Sequence, residues 1–384
     1  MRIAICGGRV LLPTGEIAQS DVTVEDGRIA GIGTNGRADL VLMARDRLVL
    51  PGLIDIHGDS FEHFILPRPT SRFPLDIALA EADRQFMANG VTTAFLAQGH
   101  SWEGGLRGAE QADEIVAWLA RNRRRLRTDI RIHLRHETFH VDGVAAVETW
   151  LRQRAIDLLV FNDHLPSYES RLDDSDHLSH WAGKAGLSTS EFAERIRRAR
   201  RRESEVEDSI ARLSRAAAAA GIVTGSHDDE SPAIRAHYTA LGATLAEFPL
   251  DLETAAAART MGQPVVLGAP NVVRGGSSAG NVSATDVIAA GYCDVLCSDY
   301  YMPALLAAPF QLAEEGVLGF AEAWGLVSAG PARAAGLKDR GAIANGLRAD
   351  LVVLDDRDAG RPRVDTTIVG GRIVFTHGDL LEAA

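Results

Sequence analysis

The stretch Leu48–Pro67, LVLPGLIDIHGDSFEHFILP, carries the residues whose types and spacing first suggest chemistry. Pro51-Gly52 marks a turn, and the mostly apolar run that follows it has the length of a β-strand. Because side chains alternate along a strand, three polar residues of this run share one face: Asp55, His57 and Asp59. A histidine and carboxylates at a strand end suit a metal site. A surface strand with incidental polar residues is the alternative.

Further histidines and carboxylates end other strand-like runs. In RIHLRHE the period of two places His133, Arg135 and Glu137 on one face, with Glu137 outermost. The stretches FNDH, SHDD and SDY end three later runs. Three histidines and three carboxylates at five strand ends are therefore the predicted metal ligands: His57, Asp59, Glu137, His164, His227 and Asp299.

Imidazole and carboxylate ligands suit Zn²⁺, Mn²⁺ or Fe²⁺, and no cysteine cluster indicates a structural zinc site. We expect one or two divalent ions, with zinc as the leading candidate. If there are two, Glu137 is the predicted bridging carboxylate. Ions ~3.5–4 Å apart could lower the pKa of a shared water, and Asp299 could take its proton during attack. A metal-free core of salt bridges is the alternative.

Arginines and a glycine-rich loop suggest an anionic substrate. Arg68 and Arg72 lie just beyond the first strand, and GAPNVVRGGSSAGN follows the seventh. Glycines let backbone N–H groups approach an oxyanion, arginine forks hold phosphate, and loops after the seventh and eighth barrel strands often bind it. A plain turn is the alternative for this loop. The predicted substrate-binding residues are Arg68, Arg72, Arg135, Asp228, Asn271, Arg274, Ser277 and Asn281.

The elements that must position these residues alternate between strand-like and helix-like runs, which predicts βα repeats and a parallel sheet. The predicted strands are Leu53–His57, Thr92–Ala97, Ile130–His136, Leu158–Asn162, Ile222–Ser226, Thr244–Phe248, Pro264–Gly268 and Asp294–Ser298. Eight strands predict an α/β fold, a (β/α)₈ barrel of the TIM type with its active site at the carboxyl ends of the strands. The stretch 166–220 is irregular. Its basic-then-acidic run Arg195–Asp208 predicts a solvated helix, with a lid or a subunit contact as alternative roles.

Both ends of the chain read as short strands separated by turns. The first fifty residues include Ile3–Cys6 and Val10–Leu12, and the last forty include Leu351–Leu354. We expect the two ends to join in one small β-sandwich domain of residues 1–50 and 340–384. The metal-dependent hydrolase barrel would then occupy residues 51–339. Two unrelated flaps are the alternative.

Composition and charge exclude several classes of protein. A net charge of −12 argues against a nucleic-acid partner. No run approaches the ~18–20 apolar residues that span a membrane, and the N-terminus lacks the layout of a signal peptide. Cys6, Cys293 and Cys297 lack a paired framework, which indicates a reducing compartment. We expect a cytoplasmic protein without a membrane or nucleic-acid partner and, from the size of the barrel, a homo-oligomer, most simply a dimer.

The strand-rich termini, PGLIDIH and the late Ser-Asp pair resemble the amidohydrolase superfamily. Over residues 1–384, the stretches HGDSFEHFILPRP, HLRHE, NDH, SHDD, AEFP, GAPNVVRGGSSAGN and SDYYMPALL resemble its PhnM-like diphosphatases. The resemblance implies hydrolysis of the triphosphate of alpha-D-ribose 1-methylphosphonate 5-triphosphate, with release of pyrophosphate, in phosphonate catabolism. It also implies the same six metal ligands that the strand ends indicate.

Three stretches depart from the pattern of those diphosphatases. Their His-Thr-Asp-Asn is here His57-Gly58-Asp59-Ser60, their HLRCE is HLRHE with His136, and their RGGSHSGN is RGGSSAGN with Ser278. The ligand positions are unchanged, but the substrate-facing part differs. A related anionic phosphate ester is therefore an alternative substrate.

There are two rival functions, one within the same superfamily and one from another class. Most of the superfamily hydrolyses a C–N bond of an amide, lactam or amidine, but such a neutral site would not need Arg68, Arg72 and Arg274, and a buried unpaired guanidinium is costly. The other rival is a metal-free barrel that serves as a non-catalytic scaffold. The presence of all six candidate ligands argues against it.

Overall fold

The computed structural model describes residues 1–33, 37–277, 280–358, 361–378 and 380–383, so Ser278 lies outside it. In chain order the strands are β1 Arg2–Leu11, β2 Ile17–Glu25, β3 Arg28–Ile32, β4 Leu40–Met43, β5 Leu48–Pro51, β6 Leu53–Gly58, β7 Val91–His100, β8 Asp129–Glu137, β9 Leu158–Asn162, β10 Val223–His227, β11 Leu245–Glu247, β12 Val265–Gly268, β13 Val295–Cys297, β14 Leu351–Asp355, β15 Arg363–Val369, β16 Arg372–Thr376 and β17 Leu381–Ala383. The α-helices are α1 Glu62–Ile65, α2 Leu75–Ala88, α3 Ala109–Asn122, α4 Val144–Gln153, α5 Leu165–Glu169, α6 Ser175–Ala185, α7 Thr189–Arg200, α8 Val206–Ala220, α9 Pro232–Ala240, α10 Leu252–Thr260, α11 Ala269–Arg274, α12 Ala284–Ala289, α13 Pro303–Glu314, α14 Phe320–Gly325 and α15 Ala329–Ala334.

Strands β6 to β13 form one parallel sheet in chain order. A parallel bridge between Gly58 and Asp299 joins the first strand to the end of the last, so the sheet is a nearly closed barrel. All eight predicted strands are present, which confirms the predicted α/β barrel. The second is longer than predicted, because β7 pairs with β8 as far as His100 and His136, and all ten of its residues are buried.

The apolar residues explain why these runs become barrel strands. Parallel strands covered on both faces need continuous hydrophobic sequence, and β9 is buried from Leu158 to Asn162. Its alternate residues serve different cores. Leu159 and Phe161 pack in the large cluster that includes the surrounding helices, whereas Leu158 and Val160 pack with residues of the other barrel strands.

The two ends of the chain meet in a second sheet. Strand β14 pairs antiparallel with β5, from Leu351 opposite Pro51 to Leu354 opposite Leu48, and β17 pairs with β4. This sheet has its own hydrophobic core of residues from both ends. The expected β unit built from both termini is confirmed, while the boundaries at residues 50 and 340 stay a prediction.

One predicted break in this sheet is absent. The separate strands expected at Ile3–Cys6 and Val10–Leu12 are a single strand, β1, whose register against β2 shifts between Ile5 and Gly8. Gly7 takes the positive φ of 68° that this bulge requires. The glycines therefore bend the strand without ending it.

The irregular stretch after β9 is a group of helices, α5 to α8, with a small core of its own. The run Arg195–Asp208 is not one helix, because it covers the end of α7, a 3₁₀ turn at Glu203–Glu205 and the start of α8. Its charges are solvated and paired, as in the contact of Arg198 with Asp142. Within the described residues, no helix is both long and apolar enough to cross a membrane.

Candidate metal centre

Five of the six predicted ligands line one cavity of about 530 Å³ at the carboxyl ends of the barrel strands. Together with Asp228 they form two groups of three, and within each group the ligand atoms lie within 4.8 Å of one another. The first-strand group consists of His57, Asp59 and Asp299. The fifth-strand group consists of His164, His227 and Asp228. The structure therefore brings together residues that the sequence separates by up to 242 positions.

Main-chain bonds fix the first-strand group. The N–H of Asp299 donates to the carbonyl of His57, and the N–H of Asp59 donates to the carbonyl of Asp299, both at 2.9 Å. Below them the buried carboxylate of Asp55 accepts hydrogen bonds from the backbone N–H groups of His57, at 3.2 Å, and Ser298, at 3.0 Å. The first and last strands are thus locked together at the metal-binding edge.

The sixth predicted ligand, Glu137, lies beside this cavity without lining it. It contacts His164, with 2.5 Å between Oε1 and Nδ1, and borders a small adjoining cavity with Glu103. Burial would raise the pKa of Glu137, but the charge and hydrogen bonds of His164 lower it to about 2. A bridging role for Glu137 stays a prediction.

Three residues of this mouth have positive φ angles although they are not glycine. The values are 57° at Asp228, 53° at Phe248 and 52° at Asp299. Such backbone costs ~1–3 kcal/mol per residue and clusters at functional sites. Asp228 and Phe248 directly follow β10 and β11, so the chain turns sharply at the strand ends that face the cavity.

The carboxyl group of Asp299 has a pKa close to neutral pH. Burial and the neighbouring charge of Asp59 raise its pKa to about 7, against the lowering effect of Arg135. The Arg135 guanidinium stands between the two groups, 3.8 Å from Asp59 Oδ2 and 3.4 Å from His227 Nε2. It offsets part of the negative charge that the carboxylates bring together.

Most of the predicted substrate-binding residues also line the cavity: Arg135, Asp228, Asn271, Arg274, Ser277 and Asn281. The side-chain amide of Asn271 links α11 to the segment that follows it. It donates a hydrogen bond to Val282 O at 3.2 Å and accepts one from Ala284 N at 3.0 Å. Arg274 donates to the Tyr300 hydroxyl at 3.2 Å. Asn271 therefore shapes the loop, while Arg274 stands at the cavity wall.

Arg68 and Arg72 do not line the cavity. Both lie in an exposed loop, and the Arg72 guanidinium pairs with Glu114 at the surface. Because Glu114 lies on α3, this contact ties the loop to an outer helix and not to the strand ends that line the cavity. Their predicted contact with substrate has no support in this geometry.

Other basic residues that the sequence did not single out take their place. Arg107, from the loop after β7, and Arg171, between α5 and α6, line the cavity together with His177 and Trp181 of α6. The Arg107 guanidinium lies 5.5 Å from the centre of the Trp181 ring. No periodic pattern in the sequence marks these residues. The packing of α5 and α6 places Arg171, His177 and Trp181 at the cavity, whereas Arg107 comes from the loop after β7.

A family model described as amidohydrolase family matches residues 311–375. The alpha-D-ribose 1-methylphosphonate 5-triphosphate diphosphatase of Escherichia coli strain K12 is 33% identical over 354 residues, which cover 89% of this chain and 93% of that relative. This chain belongs to the amidohydrolase superfamily. The resemblance read from its motifs is confirmed.

Solved structures show the same fold for this amidohydrolase. One, a crystal structure of an amidohydrolase, has a TM-score of 0.68 at 17% identity and covers 99% of this chain and 100% of its own. A prolidase complexed with N-methylphosphonate-L-proline has a TM-score of 0.64 at 18% identity, covering 98% and 100%. At such low identity these likenesses show the barrel fold alone.

The donor atoms of this amidohydrolase fit divalent metal ions, which its superfamily generally uses. Besides the two groups above, a third lies deeper: the floor group of His57, His133 and Glu247. Glu247 ends β11 in the stretch AEFP and is fully buried. Its position at a strand end could have revealed it, as it revealed the other ligands. The chain is a metal-dependent hydrolase.

Proposed function

We propose that this amidohydrolase hydrolyses alpha-D-ribose 1-methylphosphonate 5-triphosphate, or a related anionic phosphate ester, and releases pyrophosphate. The observation that carries the proposal is the basic wall of the cavity, formed by the arginines that line it together with the histidine and carboxylate groups. Among the described residues, four guanidinium groups line it: Arg107, Arg135, Arg171 and Arg274. The name and identity of the Escherichia coli relative support the same substrate.

Charge explains why this wall favours a polyphosphate. The chain carries a net charge of −12, so its overall field repels an anion and local cations must hold it. Arginine forks match phosphate oxygens and keep their charge at any ordinary pH. Glu103 and Glu62 raise the pKa of Arg107 although burial opposes this, so that guanidinium stays charged. A neutral amide would bring no negative charge to these cations.

The metal ligands and the arginines of the cavity have different roles in this proposal. Divalent ions held by the histidine and carboxylate groups of this cavity would supply Lewis acidity and an activated water. We favour zinc, with manganese or iron as alternatives. Asp299, with a pKa near 7 before cation binding, is the residue placed to accept a proton. Arg135 lies beside these carboxylates and is placed to offset charge that develops on phosphate oxygens. Arg171, which lines the cavity outside these groups, is placed to hold the distal phosphates.

The test is an assay of the purified protein loaded with Zn²⁺ or Mn²⁺ for pyrophosphate release from the ribose triphosphate and from nucleoside triphosphates. Cyclic amides are offered in parallel and scored for new amines. Pyrophosphate release supports the proposal. Amine release without pyrophosphate would replace it by C–N hydrolysis, and neither product from a protein that takes up no metal would favour the scaffold.

Arg171→Gln tests the basic wall, with Arg72→Gln as the matched control outside the cavity. Losing one charge-assisted contact, worth ~1.5–3 kcal/mol, should raise KM for the triphosphate about tenfold or more. The Arg72 variant should keep the KM of the wild type. Equal effects of the two variants would contradict the placement of substrate. A cytoplasmic homodimer stays a prediction.

A further inference from the structure

Glu247 is a carboxylate in an unusual position. It is fully buried on the floor of the cavity, and neither of its oxygens has a hydrogen-bond partner among the described residues. Three imidazoles surround it. His57 Nδ1 lies 2.9 Å from Oε1, and His133 Nε2 and His227 Nε2 each lie 3.8 Å from Oε2. An isolated buried carboxylate is costly, so something must compensate its charge.

Hydrogen bonding does not supply that compensation. His133 Nδ1 lies 2.9 Å from the carbonyl of Ile56, which can only accept, so Nδ1 carries the proton. The Nε2 atom of the neutral ring then presents a lone pair toward Glu247. Nδ1 of His57 also makes no hydrogen bond among the described residues, despite its short distance to Oε1. The lone pair of His133 Nε2 therefore faces the oxygens of Glu247 with no proton between them.

A cation between these atoms would turn their repulsion into coordination. The three ligand atoms of the floor group lie within 4.8 Å of one another. Two imidazoles and a carboxylate suit a divalent transition metal such as zinc, manganese or iron. The hydrogen bond from His133 to Ile56 also has the form of the outer partner that usually orients a metal-binding histidine.

We propose that His57, His133 and Glu247 form a metal position on the floor of the cavity, with Glu247 and His133 as direct ligands. The proposal rests on the metal-dependent hydrolase described above and names two ligands that its sequence motifs did not. His57 also belongs to the first-strand group, so these two groups compete for one imidazole. The floor and fifth-strand groups would then hold two ions per chain, with no shared ligand.

The variants are Glu247→Gln and His133→Asn, and the matched control is His136→Asn, a buried histidine on the opposite face of the same strand. Each protein is saturated with Zn²⁺ and dialysed, and its zinc content is measured by mass spectrometry. Zinc affinity is measured by competition with a chelator. We expect two ions for the wild type and the control, and one for each floor variant. Zinc affinity at the lost position should fall more than 100-fold.

That threshold separates a ligand from an orienting partner, whose loss costs about 10–100-fold in affinity. A decrease within that range, or a wild-type zinc content in Glu247→Gln, would overturn the proposal. Because the readout is zinc bound and not pyrophosphate released, it stands apart from the choice of substrate. The substrate proposal can fail in the enzymatic assay while this one holds.

Melting temperatures provide a second readout that does not depend on saturation. Without metal, the neutral amide of Glu247→Gln removes an uncompensated buried charge, so this variant should melt above the wild type. With Zn²⁺ the order should reverse, because only the wild type gains stability from an ion at the floor. A variant that melts below the wild type in both conditions would mean that Glu247 has a structural role and no metal.

Discussion

Arg235 is a fully buried cation that joins the end of β10 to the start of β11. Its guanidinium donates to Ser226 Oγ at 2.8 Å, to Asp229 Oδ2 at 3.0 Å and to the carbonyl oxygens of Ala243 and Leu245 at 2.8 and 3.0 Å. Asp229 is itself 1% exposed. We predict that Arg235→Met strongly destabilises the protein.

The magnitude follows from what the substitution leaves behind. Methionine fills much of the volume, but Asp229 stays buried without its counter-charge, and removing one partner of a buried pair costs ~3–5 kcal/mol. Domain stability is only ~5–15 kcal/mol, so this is a large share. The double variant Arg235→Met/Asp229→Leu should recover much of the loss, because no unpaired charge remains.

The assay is urea unfolding followed by tryptophan fluorescence, with Arg212→Ala as the control. Arg212 pairs with Glu148 at 2.6 Å, but its side chain is 56% exposed, so its loss should cost ~0–1 kcal/mol. If Arg235→Met costs no more than this control, the buried pair does not hold these two strand ends together. If the double variant is as unstable as Arg235→Met, the unpaired charge is not the cause.

Three further outcomes are expected. Asp299→Asn should abolish pyrophosphate release while the circular dichroism spectrum keeps its wild-type form; retained turnover would remove the proton-accepting role. Burial, helped by His140, lowers the pKa of His136 to about 3, whereas an unfolded histidine titrates near 6.5. The unfolded chain therefore binds more protons between these values, and acidification from pH 7 to 5 should cost ~2 kcal/mol that His136→Cys does not lose, measured by unfolding at both pH values. Gly143→Ala should destabilise the protein by ~1–3 kcal/mol through overpacking, and so lower its melting temperature, because its Cβ would lie 2.4 Å from His140 Cδ2. Gly183→Ala, with open space around it, should not.

The barrel and most of its metal-binding edge could be predicted because one physical rule governs both. Parallel strands covered on both faces need continuous apolar runs, and the carboxyl ends of such strands meet at one mouth. A polar residue that ends an apolar run, such as His57 or Asp299, is therefore placed by local sequence alone. Glu247 obeys the same rule, but the predicted strand Thr244–Phe248 extends one residue beyond it, whereas the strand in the structure ends at Glu247.

The basic wall could not be predicted in the same way. Arg68 and Arg72 follow the first strand closely, but sequence proximity does not fix where an exposed loop of that length points. Arg171 faces the mouth because α5 and α6 pack on a core that includes Phe139 and Phe192, and that packing is set by tertiary contacts. No periodic pattern in the sequence predicts this packing.

The positions of the charged residues in the chain suggest that metal binding and the choice of substrate depend on different parts of this protein. The histidines and carboxylates come from the ends of barrel strands, where main-chain pairing fixes them, as between His57 and Asp299. Arg107, Arg171 and Arg274 come from loops and short helices outside the barrel sheet. Arg135 is the exception, since it lies on β8 within the metal-binding edge and within reach of both groups. Changes in the outer arginines should therefore alter which anion binds while leaving metal binding intact, whereas a change at Arg135 should disturb both.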